Sequence, residues 1–324
     1  MSTILITGGA GFIGSHTARR LLAGGHRIRV LDNFDPFYAV SIKQRNVETI
    51  QDLARSDDAF ELIEGDIRDP EVCARATRGV DGIIHMAALA GVRPSIAEPE
   101  RYMDVNVTGT QRLLDAIRER PEVRFVFASS SSVYGGNEKV PFSEADPVDH
   151  PISPYAASKK AGELVCYTFH HLYGHPMTCL RFFTVYGPGQ RPEMAIHLFS
   201  RKIEAGEEIP MFGDGLTSRD YTYVDDIVDG VVAAYEQADG YHVYNLGGSK
   251  TTTLAELIDE IARVFGKPAN VRRLPMQPGD VERTWADVSR AHADLGYQPR
   301  IEVSEGLERF AAWYREEHGA GRLE

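Results

Sequence analysis

The sequence predicts an α/β fold: a doubly wound parallel sheet of the Rossmann type, carrying a second, smaller mixed α/β domain for substrate. Three observations predict it. Short β-rich runs alternate with helical patterns through the first half. A glycine-rich turn joins the first run to the first helix. Beyond about residue 182 the elements shorten, and Pro and Gly clusters ("YGPGQRPE", "MFGDG", "MQPGD") separate them.

Taken in order, strands are predicted at 3–7, 27–32, 60–65, 82–86, 124–128 and 177–182, each an apolar run bounded by turn residues. Helical patterns fill the gaps at 12–23, 41–55, 70–78, 99–118 and 153–173. In the second part helices are predicted at 194–205, 224–238, 253–265 and 303–317. The boundary is expected near 181/182, with residues 219–248 contributing to the first domain and 182–324 otherwise forming the second.

The chain has 324 residues, enough for one large or two medium domains with their own cores. A hydrophobic content of 43% with 25% charged residues is ordinary for a globular protein. The formal net charge of −12 argues against a nucleic-acid surface, which needs clustered Lys and Arg. No apolar run approaches the ~20 residues that cross a bilayer. The start, "MSTILITGGAGFIGS", lacks the charged and apolar regions of a secretory signal. Cys73, Cys166 and Cys179 are odd in number and scattered, so they read as reduced packing residues of a cytoplasmic protein. His171 and His175 stand four apart, but Gly174 and Pro176 should end the helix between them, and no metal site is expected.

Residues 7–14, "TGGAGFIG", follow a predicted strand and open a predicted helix. Gly8 allows the tight turn, Gly11 the close approach of a pyrophosphate, and Gly14 close helix–sheet packing; Phe12 and Ile13 begin the helix. Asp32 ends the second strand in "RVLDNF", where a carboxylate accepts ribose hydroxyls and repels a 2′-phosphate. NAD is therefore the expected cofactor, with Asn33 beside it. Asp66 and Ile67 at the third strand tip should flank the adenine, and Ala87 and Ala88 leave room for a dinucleotide at the fourth.

"SPYAASKKAGE" puts Tyr155 and Lys159 on one helix face, where an ammonium should lower the phenol's pKa and make it a base. Alone, that spacing is common and usually structural. It gains meaning from the strand that ends in four serines, Ser129 to Ser132.

The glycine turn, the strand-end serines and Y-x-x-x-K, in that order, resemble the extended short-chain dehydrogenase/reductase family. Within it the chain is similar to the nucleotide-sugar epimerases, above all the UDP-glucuronate 4-epimerases, through "DNFDPFYAVSIKQRN", "SSSSVYG", "PVDHPISPYAASKKAGE" and "RFFTVYGPGQRPEMA". The resemblance implies that Ser130 is the catalytic hydroxyl beside Tyr155, with Lys159 orienting the nicotinamide ribose. Ser131 and Ser132 stand where the related dehydratases carry Asp and Glu, and serine is no acid or base near neutral pH. The resemblance thus implies 4-epimerisation of a UDP-sugar. For a uronate substrate, Ser131, Ser132 and Thr184 are expected to hydrogen-bond the carboxylate, with Arg191 a candidate partner for its charge. Arg219 is expected on the diphosphate, Asp280 on the uridine ribose, and Arg93 on the pyrophosphate or the uronate. Glu282 and Arg283 depart from the small or apolar residues expected after "GDV". Alternatives are a UDP-glucose/UDP-galactose 4-epimerase, a dehydratase or decarboxylase, and a non-catalytic NAD-binding protein. A homodimer is the expected assembly, through the helix at 99–118 and the Y-x-x-x-K helix, with Leu164, Val165, Phe169 and Leu172 suiting either an interface or the core.

Overall fold

The structure is a computed structural model that describes residues 1–54, 56, 58–275 and 281–322. In its first half, strands β1 (Thr3–Thr7), β2 (Arg27–Asp32), β3 (Phe60–Glu64), β4 (Gly82–His85), β5 (Arg124–Ser130) and β6 (Met177–Phe182) alternate with helices. These are α1 (Phe12–Ala23), α2 (Val40–Leu53), α3 (Pro70–Ala76), α4 (Val92–Ala97), α5 (Pro99–Met103), α6 (Gly109–Asp115) and α7 (Pro154–Tyr173). The second half adds β7 (Thr184–Tyr186), β8 (Glu208–Phe212), β9 (Ser218–Arg219), β10 (Tyr221–Tyr223), β11 (Tyr241–Leu246), β12 (Thr252–Thr253) and β13 (Asn270–Leu274). Its helices are α8 (Ala195–Ala205), α9 (Val224–Glu236), α10 (Leu254–Phe265), α11 (Ser289–Leu295) and α12 (Val303–Gly319).

Seven parallel strands form one sheet in the order β11-β6-β5-β4-β1-β2-β3. The order reverses between β1 and β4. A crevice therefore opens beyond the C-terminal ends of these strands, the place where such sheets bind ligands. Strands β1, β4 and β5 are buried almost throughout, because helices cover both faces. Small paired strands, β8 with β13 and β9 with β12, lie outside the main sheet. Helices α8, α10 and α12 pack into the same apolar core as β1 and β2, joined by Ile196, Phe199, Ile261, Phe310 and Tyr314.

One predicted helix is built differently. The segment predicted at 99–118 runs as α5, a π-type stretch at Asp104–Thr108, then α6. The Thr110 hydroxyl donates to the Asn106 carbonyl at 2.6 Å, and the Asn106 side chain is committed to a neighbouring loop. Such local bulges sit where a helical side chain is drawn out of register by other work. The helix α7 ends at Tyr173 because Gly174 turns left-handed, at φ 79°. Among the described residues no group of three or more His, Cys, Asp or Glu is arranged around a cation position.

Candidate active site

A cavity of about 400 Å3 occupies the crevice, and a second of about 200 Å3 opens beside it. Val92, Ser131, Ser132 and Thr184 line both, so the two meet at the serine loop.

At one end the glycine turn forms the floor. Gly8 adopts φ +69°, and a Cβ there would lie 2.7 Å from the Ala87 nitrogen; a Cβ on Gly14 would lie 2.3 Å from the Gly8 carbonyl oxygen. Only glycine lets β1, α1 and the tip of β4 come this close. Gly11 caps α1 without a side chain, so the first-turn amides of Phe12, Ile13 and Gly14 border the cavity with the positive end of the helix dipole. Asp32 is buried on the opposite lip, accepting the Ala10 amide at 3.1 Å and the Phe34 amide at 2.9 Å. Burial pushes its carboxyl up, while the charge of Lys43, 4.0 Å away, opposes that. A phosphate cradle without side chains and a carboxylate for ribose hydroxyls fit a dinucleotide. Asp66 lines the cavity pinned by Arg68 at 2.8 Å and Asn33 at 3.0 Å, and Ile67 is buried beside it.

Buried hydrogen bonds set the tip of β4. The Ala87 amide donates to the Thr7 hydroxyl at 3.2 Å, and the His85 ring bridges Thr7 at 2.6 Å and Thr110 at 2.9 Å. Burial holds His85 neutral, with its pKa lowered to about 3. Asn106 clamps Leu89 at both its amide and its carbonyl and donates to Ser158 on α7 at 2.9 Å. Ala87 and Ala88 are thereby fixed against the same helix that carries Tyr155.

At the other end, Tyr155, Lys159, Ser130, Ser131 and Ser132 line the main cavity together. Burial pushes the Tyr155 phenol up, and the Ser130 hydroxyl and the Arg191 charge oppose that rise. Lys159 contributes otherwise than expected: its ammonium donates to the Ala128 carbonyl at 2.7 Å and lies over the Phe127 ring. Burial lowers Lys159 to about 8. The Ser130 hydroxyl caps the next turn, accepting the Ser132 amide at 3.1 Å.

Arg191 lines the main cavity, with Glu193 at 2.8 Å and its guanidinium 5.4 Å from the centre of the Phe37 ring. Thr184 and Arg219 line the second cavity, Arg219 donating to the Ser218 carbonyl at 2.9 Å. Arg93 lines neither: it is exposed at the start of α4, 5.0 Å over the Phe212 ring. Asp280 lies outside the described residues. Glu282 and Arg283 are exposed. Of the apolar residues weighed for an interface, Phe169 belongs to the core and Val165 packs against it, whereas Leu164 and Leu172 are exposed.

Sequence reasoning passed over Phe37, Tyr38, Lys43, Gln190 and Met194, which also line the main cavity. Lys43 donates to the Asp35 carbonyl at 2.9 Å and sits over the Tyr38 ring. Their signal was present in "DNFDPFYAVSIKQRN" for Phe37, Tyr38 and Lys43 and in "RFFTVYGPGQRPEMA" for Gln190 and Met194, but no spacing rule says which residues of these stretches turn inward.

A side-chain-free phosphate cradle, an acidic β2 tip and a tyrosine four residues before a buried lysine define the class: an α/β enzyme working with a nicotinamide dinucleotide. The chain belongs to the NAD-dependent epimerase/dehydratase family, whose pattern matches residues 4–247. It is 40% identical over 319 residues to a UDP-glucuronate 4-epimerase of Thermodesulfobacterium geofontis, covering 98% of this chain and 97% of that one. The UDP-glucuronic acid 4-epimerase of Bacillus cereus, solved with UDP-glucuronic acid and NAD, superposes with a TM-score of 0.90 at 34% identity, over 97% of this chain and 99% of that one. A dTDP-glucose 4,6-dehydratase of Streptomyces venezuelae, solved with NAD, gives the same TM-score of 0.90 and 34% identity, over 98% of each chain. The backbone therefore serves both chemistries equally, and side chains decide between them.

Proposed function

We propose that this protein epimerises a UDP-sugar at C4 with NAD as its bound cofactor, interconverting UDP-glucuronate and UDP-galacturonate. One observation carries the choice of reaction. Where the two cavities meet, the polar groups of the wall are hydroxyls: Ser131, Ser132 and Thr184 line both beside Val92, with Ser130 next to them in the main cavity. The acidic residues lining the main cavity, Asp32, Asp35 and Asp66, are at its cofactor end, and among the described residues no carboxylate lines the second. Dehydration needs an acid and a base at neighbouring carbons; these hydroxyls supply neither.

In this reading Tyr155 takes the proton of the C4 hydroxyl and gives it back to the same oxygen when the hydride returns, while Ser130 hydrogen-bonds that oxygen. NAD, when bound, supplies the acceptor that takes a hydride from C4 and returns it to the other face of the sugar. Gly8, Gly11, Phe12, Ile13 and Gly14 hold its pyrophosphate, Asp32 and Asn33 its adenosine ribose, and Asp66, Ile67, Ala87 and Ala88 the surrounding wall. Lys159 holds the nicotinamide ribose. Ser131, Ser132 and Thr184 hold the uronate carboxylate away from the geometry in which a β-keto acid loses carbon dioxide, with Arg191 balancing its charge. Arg219 faces the diphosphate.

The reading extends to a cytoplasmic homodimer whose smaller substrate domain follows residue 181, with 219–248 returned to the sheet. It is supported by three free cysteines and by exposed apolar residues on α5 and α7: Met103, Leu164, Tyr167 and Leu172. Light scattering behind size exclusion measures the dimer directly.

Incubation with UDP-glucuronate and identification of the product by NMR tests the function. UDP-galacturonate is the expected product. A UDP-pentose with carbon dioxide would replace the proposal by a decarboxylase, and conversion of UDP-glucose alone would replace it by the hexose epimerase.

A further inference from the structure

Beneath the serine loop lies a polar cluster that the chemistry above does not use. Ser129 of β5, Arg181 of β6 and Asn245 of β11 are neighbours in register across three strands. Glu163 of α7 reaches down onto this row. Its Oε1 accepts the Ser129 hydroxyl at 2.7 Å and Arg181 Nε at 2.8 Å; its Oε2 accepts Arg181 Nη2 at 2.9 Å and Lys160 at 3.1 Å. Arg181 donates onward to the Tyr134 hydroxyl at 3.0 Å, and that hydroxyl donates to Asn245 at 2.7 Å. The Asn245 side chain donates to the carbonyls of Phe142 and Asp287. Glu163 and Arg181 are 1% and 2% exposed, so nothing screens the pair from the groups around it.

The placement of the partners matters more than their number. Ser129 is the residue before the reactive loop, and Tyr134 is the last of the short turn that follows it, Ser131–Tyr134. One network thus grips Ser130, Ser131 and Ser132 from both sides. Glu163 also stands one turn beyond Lys159 and two beyond Tyr155 on α7, so the same carboxylate fixes the helix relative to the loop. A buried pair of this kind contributes little net stability against an apolar replacement of equal volume, so its presence calls for another explanation.

We infer that Glu163 is a positioning residue: through Ser129 and through Arg181–Tyr134 it holds the hydroxyl of Ser130 against the phenol of Tyr155. The inference rests on the reading of Tyr155 and Ser130 as the acid–base pair, and it adds the residues that hold them in place. Glu163 touches no reacting atom in this scheme.

The decisive variants change no charge. Ser129→Ala and Tyr134→Phe each remove one grip and leave the Glu163–Arg181 pair intact. Each is expected to lower kcat about tenfold or more with KM and NAD affinity unchanged, as displacement of a catalytic group by a fraction of an ångström does. With the Ser130 hydrogen bond loosened, the Tyr155 phenol should titrate higher than in the wild type. That shift is read by NMR of [13Cζ]tyrosine-labelled enzyme, with Tyr155→Phe assigning the signal, and it needs no turnover. Ser129→Cys, a weaker donor of similar size, should recover part of both effects. Glu163→Gln should lose more than either variant, and if it fails to fold the two neutral variants still decide. An unmoved Tyr155 titration in both overturns the inference, even if activity falls along with thermal stability. If the wild type turns over no UDP-sugar, the proposed function fails, while the titration still answers whether the network holds the phenol's environment.

Discussion

Around Asp32 the main cavity is walled by charge. Asp32 faces Lys43, Arg101 binds the Asp35 carboxylate at 2.6 Å, and Arg68 binds both Asp66 and Asp104. Around Ser130 the wall holds hydroxyls and the cations Lys159 and Arg191 but, among the described residues, no carboxylate; the nearest one, Glu163, is sealed one layer below against Arg181. The difference follows from the tasks proposed for the two ends. Recognising ribose and excluding a 2′-phosphate needs charge at the surface of the site. Moving a single proton to and from a sugar needs placement, and a stray carboxylate there would open a different reaction.

That contrast breaks most sharply at Tyr155. Tyr155→Phe should leave NAD and UDP-sugar binding near wild type and lower kcat by about 10^3-fold, the usual worth of a general base. Steady-state kinetics beside a fluorescence titration with NAD measures both. Asp32→Ala should act the other way round, weakening NAD roughly 10- to 100-fold, as for one charged hydrogen-bonding group of about 1.5–3 kcal/mol, with kcat at saturating NAD largely kept. Isothermal titration with NAD and NADP reads it, and the preference for NAD should narrow.

Arg191 belongs to neither end alone, since it lies over Phe37 and its charge reaches Tyr155. Arg191→Ala should raise KM for the uronate about tenfold, near 1.4 kcal/mol, or increase leakage to a pentose. If both product ratio and KM are unchanged, its proposed role is wrong.

The smallest effect concerns stability away from the cavity. Asp220 is buried under the amides of Gly248, Ser249 and Ala286, and burial raises its carboxyl to about 6 despite them. The folded protein then holds that proton more tightly than the unfolded chain, whose Asp titrates near 4. The group's contribution is full below about pH 4 and is lost as pH rises through 6, about 3 kcal/mol for two pKa units. The stability gap between wild type and Asp220→Asn should therefore be larger at pH 4 than at pH 7 by up to that amount, measured by denaturant unfolding at both.

The sequence by itself determined whatever a single strand–turn–helix or a single helix can hold. Gly8, Gly11 and Gly14, Asp32 at a strand tip, and Tyr155 with Lys159 four residues later were all readable, because bond geometry alone sets those spacings. The hydroxyl run of Ser130 to Ser132 was readable as neutral, and the proposal of epimerisation over dehydration rests on it. Tertiary structure decided what distant segments do to one another. Lys159 binds the Ala128 carbonyl in place of the phenol, burial raises Tyr155, and Arg93 lies outside both cavities. Glu163 and Arg181 meet because α7 packs over neighbouring β5 and β6, and Tyr134 reaches Asn245, 111 residues on, because β11 joins the sheet beside β6. Strand order is the outcome of the whole core's packing, so contacts that depend on it carry no local signature in the chain.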